Sequence, residues 1–221
     1  MEFNELILNR HSTRGFLEQE VSDETLREIF KLASRSPSAV NMQPWHVVSL
    51  SKGPLLTKLS DKLIAAHKNK EKDKPDVKFY PDKWFEPFAS RRKECGLELF
   101  RALDIKREDV NKREEAWVAN YRFFDAPVGL LIFSDSKLPE GSLVDCGMFM
   151  MGLMLAAKSL GIDSCPMASI AEYPTIVKES LNVDNDHLLI SAIALGYKDP
   201  NHPANQCSMS RLDVDEFVSF R

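Results

Sequence analysis

The chain has 221 residues, a net charge of −4 at neutral pH and a pI near 5.8. That length suffices for a sizeable hydrophobic core, and the mild acidity speaks against the basic face that a nucleic-acid binder needs. Four cysteines, at 95, 146, 165 and 207, form neither a CxxC pair nor a regular spacing, so they read as reduced thiols of a cytoplasmic protein rather than a disulfide frame.

In chain order, Phe3, Leu6 and Ile7 predict a short amphipathic helix ending near Arg10. The start MEFNELILNRHSTR is charged and lacks the apolar core of a signal peptide. Ser22 reads as an N-cap, with Asp23 and Glu24 in a first turn that favours anions. Leu26, Ile29, Phe30 and Ala33 follow at helical spacing, and Pro37 stops the helix. HVVSLS is a strand, and Leu55, Leu56, Leu59 and Leu63 mark the next helix. HKNKEKDKPDVK, residues 67 to 78, is a charge run expected to form a solvated helix end and loop. Aromatics are scattered among charges from Phe79 to Phe88, and residues 106 to 121 look helical.

PVGLLIFS reads as a strand covered on both faces. SLVDCGMFMMGLMLAAKSLG is uncharged only between Asp145 and Lys158, too short for a span of about 20 residues. It reads as a helix of the core or of a subunit interface, so no membrane partner is expected. CPMASI, a helix opened by Pro174, the strand HLLISAIALGY, the loop DPNHPANQ and a short final helix in DVDEFVSF complete the series. The pattern predicts one α+β domain over 1–221, a mixed central sheet packed by helices, with a helical insertion at about 65–120.

Two stretches carry chemistry. In RHSTR, an extended backbone places Arg10, Ser12 and Arg14 on one side; two guanidiniums flanking a hydroxyl suit a phosphate, though such clusters also occur on plain solvated loops. Neither GxGxxG nor GxxxxGK is present to bind phosphate another way. SPSAVNMQPW, residues 36 to 45, is stiffened by Pro37 and Pro44 and carries Asn41 and Gln43, whose amides can each donate and accept on a planar heterocycle edge. Gln43 precedes proline, which biases it toward extended geometry. The plainer alternative has Asn41 capping a turn and Trp45 anchoring the core. Histidines 11, 46, 67, 187 and 202 have no metal-ligand spacing. Cys165 lies in an apolar setting with no basic residue beside it in sequence, and reads as a buried hydrophobe.

Together these stretches resemble the nitroreductase family of flavin mononucleotide (FMN) enzymes. The resemblance rests on Arg-x-Ser-x-Arg at Arg10, Ser12 and Arg14, on the complete SPS-x-x-N-x-QPW loop, on LVDCGMFMMGLMLAA, GIDSCPMASIAEYP and LGYKDPNHP, and on Arg211. It spans nearly the whole chain, least so at 65 to 120, and comes nearest the longer, nitrobenzoate-reductase-like branch. It implies a nitroreductase-like fold in an intertwined homodimer that transfers electrons from NAD(P)H, through FMN, to nitroaromatic, quinone or related acceptors by a ping-pong mechanism. The alternatives within it are reductive dehalogenation of haloaromatics and flavin binding without turnover.

Position by position, the resemblance implies that Arg10, His11, Ser12, Arg14 and Arg211 bind the flavin phosphate, with Gly196 near that end. Pro37, Ser38, Ala39, Asn41 and Gln43 would come from the partner subunit to meet the ring and ribityl chain. Met167, Ala168 and Ser169 would lie against the ring. Met151 and Met167 stand where relatives often carry Gln, and Arg122 falls near a basic flavin contact of shorter relatives. No side-chain acid or base is required for the hydride chemistry, which belongs to the cofactor. The insertion aromatics, Trp84 and Phe85 foremost, are expected to cover the acceptor.

Overall fold

The computed structural model describes residues 2–221. Helix α1 (Phe3–Asn9) leads into α2 (Asp23–Ala33), whose N-cap hydroxyl on Ser22 accepts from the Thr25 N–H at 3.1 Å. Strand β1 (Trp45–Ser51) and helix α3 (Pro54–Lys68) follow, then α4 (Phe88–Ala102) and α5 (Val110–Val118) of the insertion. Strand β2 (Val128–Asp135), helix α6 (Ser142–Ser159), strand β3 (Asp163–Met167), helix α7 (Pro174–Leu181) and strand β4 (His187–Gly196) complete the elements.

The sheet order is β1-β2-β4-β3 and every neighbouring pair is antiparallel. The α+β class holds, while the expected mixed character reduces to a single parallel bridge, Ser12 to Ser164. Alternation sorts the side chains of β2. Val128, Leu130 and Ile132 join Ile29, Phe149 and Leu153 under α2 and α6; Leu131 and Phe133 join Leu59, Leu63 and Tyr121 under α3. Helices cover both faces, which is why β2 is apolar throughout. Each fully buried Leu or Phe of these layers contributes about 1.5–3 kcal/mol.

Helix α6 is only partly a core helix. Cys146, Phe149 and Leu153 are buried, whereas Val144, Met148 and Met151 face outward. Trp45 anchors the start of β1 by stacking on Phe149, ring centroids 4.6 Å apart. DVDEFVSF forms only a short 3-10 turn, Val214–Glu216, because the Asp213 and Glu216 side chains close a capping box on one turn and no apolar stripe follows to continue it.

The charge run is not simply solvated. Its lysines are exposed, but the Asp73 carboxylate accepts from the Thr175 N–H (2.8 Å) and hydroxyl (2.9 Å) at the first turn of α7. Asp76 accepts from the Leu189 N–H at 2.8 Å and pairs with the buried Lys178 ammonium at 2.7 Å. The alternation of Lys and Asp in this stretch therefore separates a wet side from a clamped one, and the clamp fixes the root of the segment carrying Phe79 to Phe88.

Candidate functional site

Residues 10–17 run from the β3 edge, met at Ser12 and Thr13, to the stretch after β4, met at Phe16 and Leu17. The Thr13 N–H donates to the Ser164 carbonyl (3.0 Å) and the Leu17 N–H to the Tyr197 carbonyl (2.8 Å). The backbone is extended at Arg10 (φ −75°, ψ 117°). Thr13 points inward and its hydroxyl meets Asp163 at 3.4 Å, which is in turn paired with Lys158 at 2.8 Å. Arg10, Ser12 and Arg14 are half-buried, as is His11, and the first three share one side in that all act on the Cys165 thiol. Burial, and then the nearby Arg211 guanidinium, lower the Arg10 pKa. Among the described residues, Arg10, Arg14 and Arg211 have no carboxylate partner within ion-pair distance. Like charges held together without a counter-charge are costly unless an anion joins them.

Asn205 locks this segment in place. Its side chain accepts from the Arg14 N–H (2.7 Å) and donates to the carbonyls of Gly15 (2.7 Å) and Asp199 (2.8 Å). Gly15 is required there, since a Cβ would fall 2.1 Å from the His202 ring. His11 turns toward Lys198, whose ammonium lies 3.2 Å from Nε2. Burial first, then Lys198 and Lys158, depress the His11 pKa, which favours the neutral ring, whose Nε2 can accept a hydrogen bond from the Lys198 ammonium. At Gly196 the space a side chain would need is filled by Pro127 and Phe16, which makes its smallness a packing matter.

Cys165 is buried beside this cluster. The setting is less apolar than the sequence suggests, because the Arg14 and Arg10 guanidiniums and the Ser12 hydroxyl all act on the thiol. Burial dominates and pushes its pKa up, which keeps it an unreactive thiol. Farther along, Met167 ends β3, and Ala168 and Ser169 follow it. Met167 is buried in the α3-side core. Ala168 is half-exposed. The Ser169 hydroxyl is buried with no hydrogen-bond partner within the chain, as are Ser134 Oγ, His187 Nδ1 and His202 Nδ1, and it is free to take one from a ligand or water.

The loop 36 to 45 sits elsewhere. Its anchor is Asp145, 4% exposed, whose two carboxylate oxygens each accept from the Ala39 N–H at 3.2 Å. The Ser38 hydroxyl accepts from the Gln43 N–H at 2.9 Å. Gln43 is not extended; its φ is +50°, with Val40 at +44° and Asn41 at +59°. The Ser38 bond and the turn closed by the Met42 N–H on Ala39 (3.0 Å) outweigh the bias before Pro44. Pro37, Ala39, Asn41 and Gln43 are exposed, and Val40 is 93% exposed. The Gln43 amide donates to the Asn41 carbonyl at 3.2 Å.

Asp145 supports this loop near one end of α6, and Lys158 supports the arginine segment, through Asp163, near the other. At 1.5 Å rise per residue these supports are about 20 Å apart. One chain thus brings Arg10, Ser12, Arg14 and Arg211 to one end, and holds Pro37, Ser38, Ala39, Asn41 and Gln43 at the other.

The insertion borders the first cluster. Trp84 is half-buried beneath the Arg92 guanidinium, 4.9 Å from the ring centroid. Phe85 is 59% exposed and meets Phe88 edge-on at 5.2 Å. Tyr80, 5.7 Å from Trp84, feels the charge of Glu172 just past Ser169. Between α4, α5 and the arginine segment lies a cavity of ≈ 430 Å³ lined by Arg14, Phe16, Leu99, Leu103 and Arg122. Arg122 is already paired with Glu115 (2.8 Å) and Asp125 (3.3 Å).

Sequence reasoning missed Asp145, Asn205, Lys198 and Glu172. Asp145 had a legible signal: a lone acid opening an apolar helix must find donors if it is buried. The others depend on contacts between distant segments, 191 residues apart for Arg14 and Asn205.

The profile of the Nitroreductase family matches residues 7–197. The chain is 33% identical to a nitrobenzene nitroreductase of Ectopseudomonas oleovorans over 218 residues, 98% of this chain and 96% of that one. It superposes on the FMN- and NADPH-dependent nitroreductase NfnB of Sphigopyxis sp. strain HMH with a TM-score of 0.94 at 30% identity, covering 100% and 99% of the two chains. The FMN-dependent NfnB of Mycobacterium smegmatis, in complex with NADPH, gives a TM-score of 0.92 at 30% identity over 99% and 97%.

Proposed function

This chain belongs to the nitroreductase family, and on that premise we propose that it is an FMN-dependent oxidoreductase that uses a nicotinamide nucleotide to reduce nitroaromatic acceptors by two electrons. The observation that carries this is the cluster of Arg10, Arg14 and Arg211, which has no carboxylate partner among the described residues and packs on the β3 strand at Cys165; that strand runs on to the orphaned Ser169 hydroxyl. The donor set fits a phosphate monoester at one end and a polar ring edge at the other. When bound, FMN supplies the transfer of electrons between nicotinamide and acceptor.

The protein's own residues supply the rest. Arg10, Arg14 and Arg211 neutralise the phosphate, with the Ser12 hydroxyl between them. The backbone of Met167–Ser169 walls one ring face, so nicotinamide and acceptor use the other in turn and ping-pong kinetics follow. Pro37, Ser38, Ala39, Asn41 and Gln43 serve the site of a second copy. The separation of the two clusters along α6, and the outward Val144, Met148 and Met151 with Phe3, Leu8 and Val40, support such a homodimer, since its interface needs an apolar centre. Helix α6 is the one described helix long and apolar enough to cross a membrane by composition; we read it as a core and interface helix of a cytoplasmic enzyme.

The purified protein is expected to be yellow, to release FMN on denaturation and to sediment as a dimer with two flavins. Chromatography of the released cofactor as FAD, or a monomer that retains its flavin, would overturn this reading. Trp84→Ala is expected to shift kcat/KM between nitroaromatic acceptors by tenfold or so, because a lid governs acceptor fit. Stopped-flow reduction of the flavin by NADPH should stay within a few-fold. Equal losses in both half-reactions would remove Trp84 from the lid.

A further inference from the structure

Reducing a nitro group to nitroso, ArNO₂ + H⁻ + H⁺ → ArNO + H₂O, consumes a proton besides the hydride equivalent drawn from the nicotinamide. We infer that Glu172 delivers that proton to the acceptor, an inference that rests on the function proposed above. The carboxyl O–H bond breaks, the proton goes to the nitro oxygen that leaves as water, and the carboxylate recovers a proton from solvent.

The placement is specific. Glu172 closes a single 3-10 turn, Ile170–Glu172, that begins at the ring-facing segment, with its N–H on the Ser169 carbonyl at 3.3 Å. Its side chain is half-buried and, among the described residues, makes neither a hydrogen bond nor an ion pair. Other half-buried carboxylates in this fold are committed: Asp73, Asp76 and Asp199 each hold donors. Glu172 is therefore free to gain and lose a proton without breaking structure. Tyr80 of the 79–88 segment lies near enough for the Glu172 charge to help raise the Tyr80 pKa, after burial.

Four titratable groups face it. His67 of α3, Tyr80 of the lid, Tyr121 after α5 and its own neighbour Tyr173 surround the carboxylate. His67 is the one basic group among the four, and its Nε2 lies 2.9 Å from a Glu114 carboxylate oxygen. Burial is the main influence and raises the Glu172 pKa, with His67 opposing it. A carboxyl whose pKa is raised holds its proton to higher pH than a solvated one, which suits it to act as an acid.

Glu172→Gln tests this in the FMN-loaded dimer. Reduction of the bound flavin by NADPH should be unchanged within about twofold, while its reoxidation by a nitroarene slows by roughly a hundredfold. The alkaline fall of the wild-type reoxidation rate should vanish in the variant. A second readout uses the cofactor-free protein: with ¹³C-carboxyl glutamate, the resonance lost in Glu172→Gln should titrate above the other glutamates. Reoxidation within threefold of wild type with its pH profile intact, or a Glu172 carboxyl titrating among the rest, would overturn the inference. If the Gln variant does not fold, the wild-type titration and Glu172→Asp decide it. A wild type that does not reduce nitroarenes at all would instead overturn the function on which it rests.

Discussion

Asp76→Ala lowers the unfolding free energy by about 3–5 kcal/mol, the range for breaking a buried ion pair from one side. Lys178 keeps its ammonium at 8% side-chain exposure, with Asp76 at 17% and 2.7 Å away. Removing the carboxylate strands that charge and also the Leu189 N–H. Water entering the space left by the side chain moves the loss toward the lower end. The exposed pair Lys31–Glu28, at 76% and 42% side-chain exposure, provides the contrast. Glu28→Ala should cost less than about 1 kcal/mol. Urea denaturation of the three proteins measures both effects. Asp76→Leu with Lys178→Met should recover most of the loss, because it removes the pair without stranding a charge. A single-variant loss under about 1 kcal/mol would show that the charge run is as solvated as its composition suggests.

Arg10→Ala with Arg211→Ala weakens FMN binding by roughly a hundredfold or more, since each charge-assisted phosphate contact is worth about 1.5–3 kcal/mol. Riboflavin, which has no phosphate, provides the control: its affinity should change little. Fluorescence titration of the apoprotein with both ligands gives the ratio. The cofactor-free variant should fold at least as stably as the parent, because it relieves the repulsion between two guanidiniums with no carboxylate partner. Arg122→Ala should leave the ratio unchanged, since Arg122 is bound to Glu115 and Asp125. An unaltered FMN-to-riboflavin ratio in the double variant would remove the phosphate from this cluster.

The sequence by itself determined the features that repeat locally. The Ser22 cap, the apolar spacing of α2 and α3, the continuous apolar run of β2 and the proline opening α7 each depend on neighbours within a turn or a strand. The alternation of Arg10, Ser12 and Arg14 against Thr13 is likewise a property of an extended backbone, and it survives folding. Tertiary structure decided what these groups meet. Gln43 has positive φ because the Ser38 hydroxyl five residues back holds its N–H, against the local bias before proline. The charge run is clamped because Lys178 and Thr175, more than 100 residues away, lack partners until Asp76 and Asp73 arrive. Loop 36–45 and the arginine cluster lie at opposite ends of α6 because Asp145 and Lys158 are fixed there. Periodicity reports which side of an element is apolar; it cannot report which distant donor a buried carboxylate will satisfy, because that pairing is set only when the chain closes.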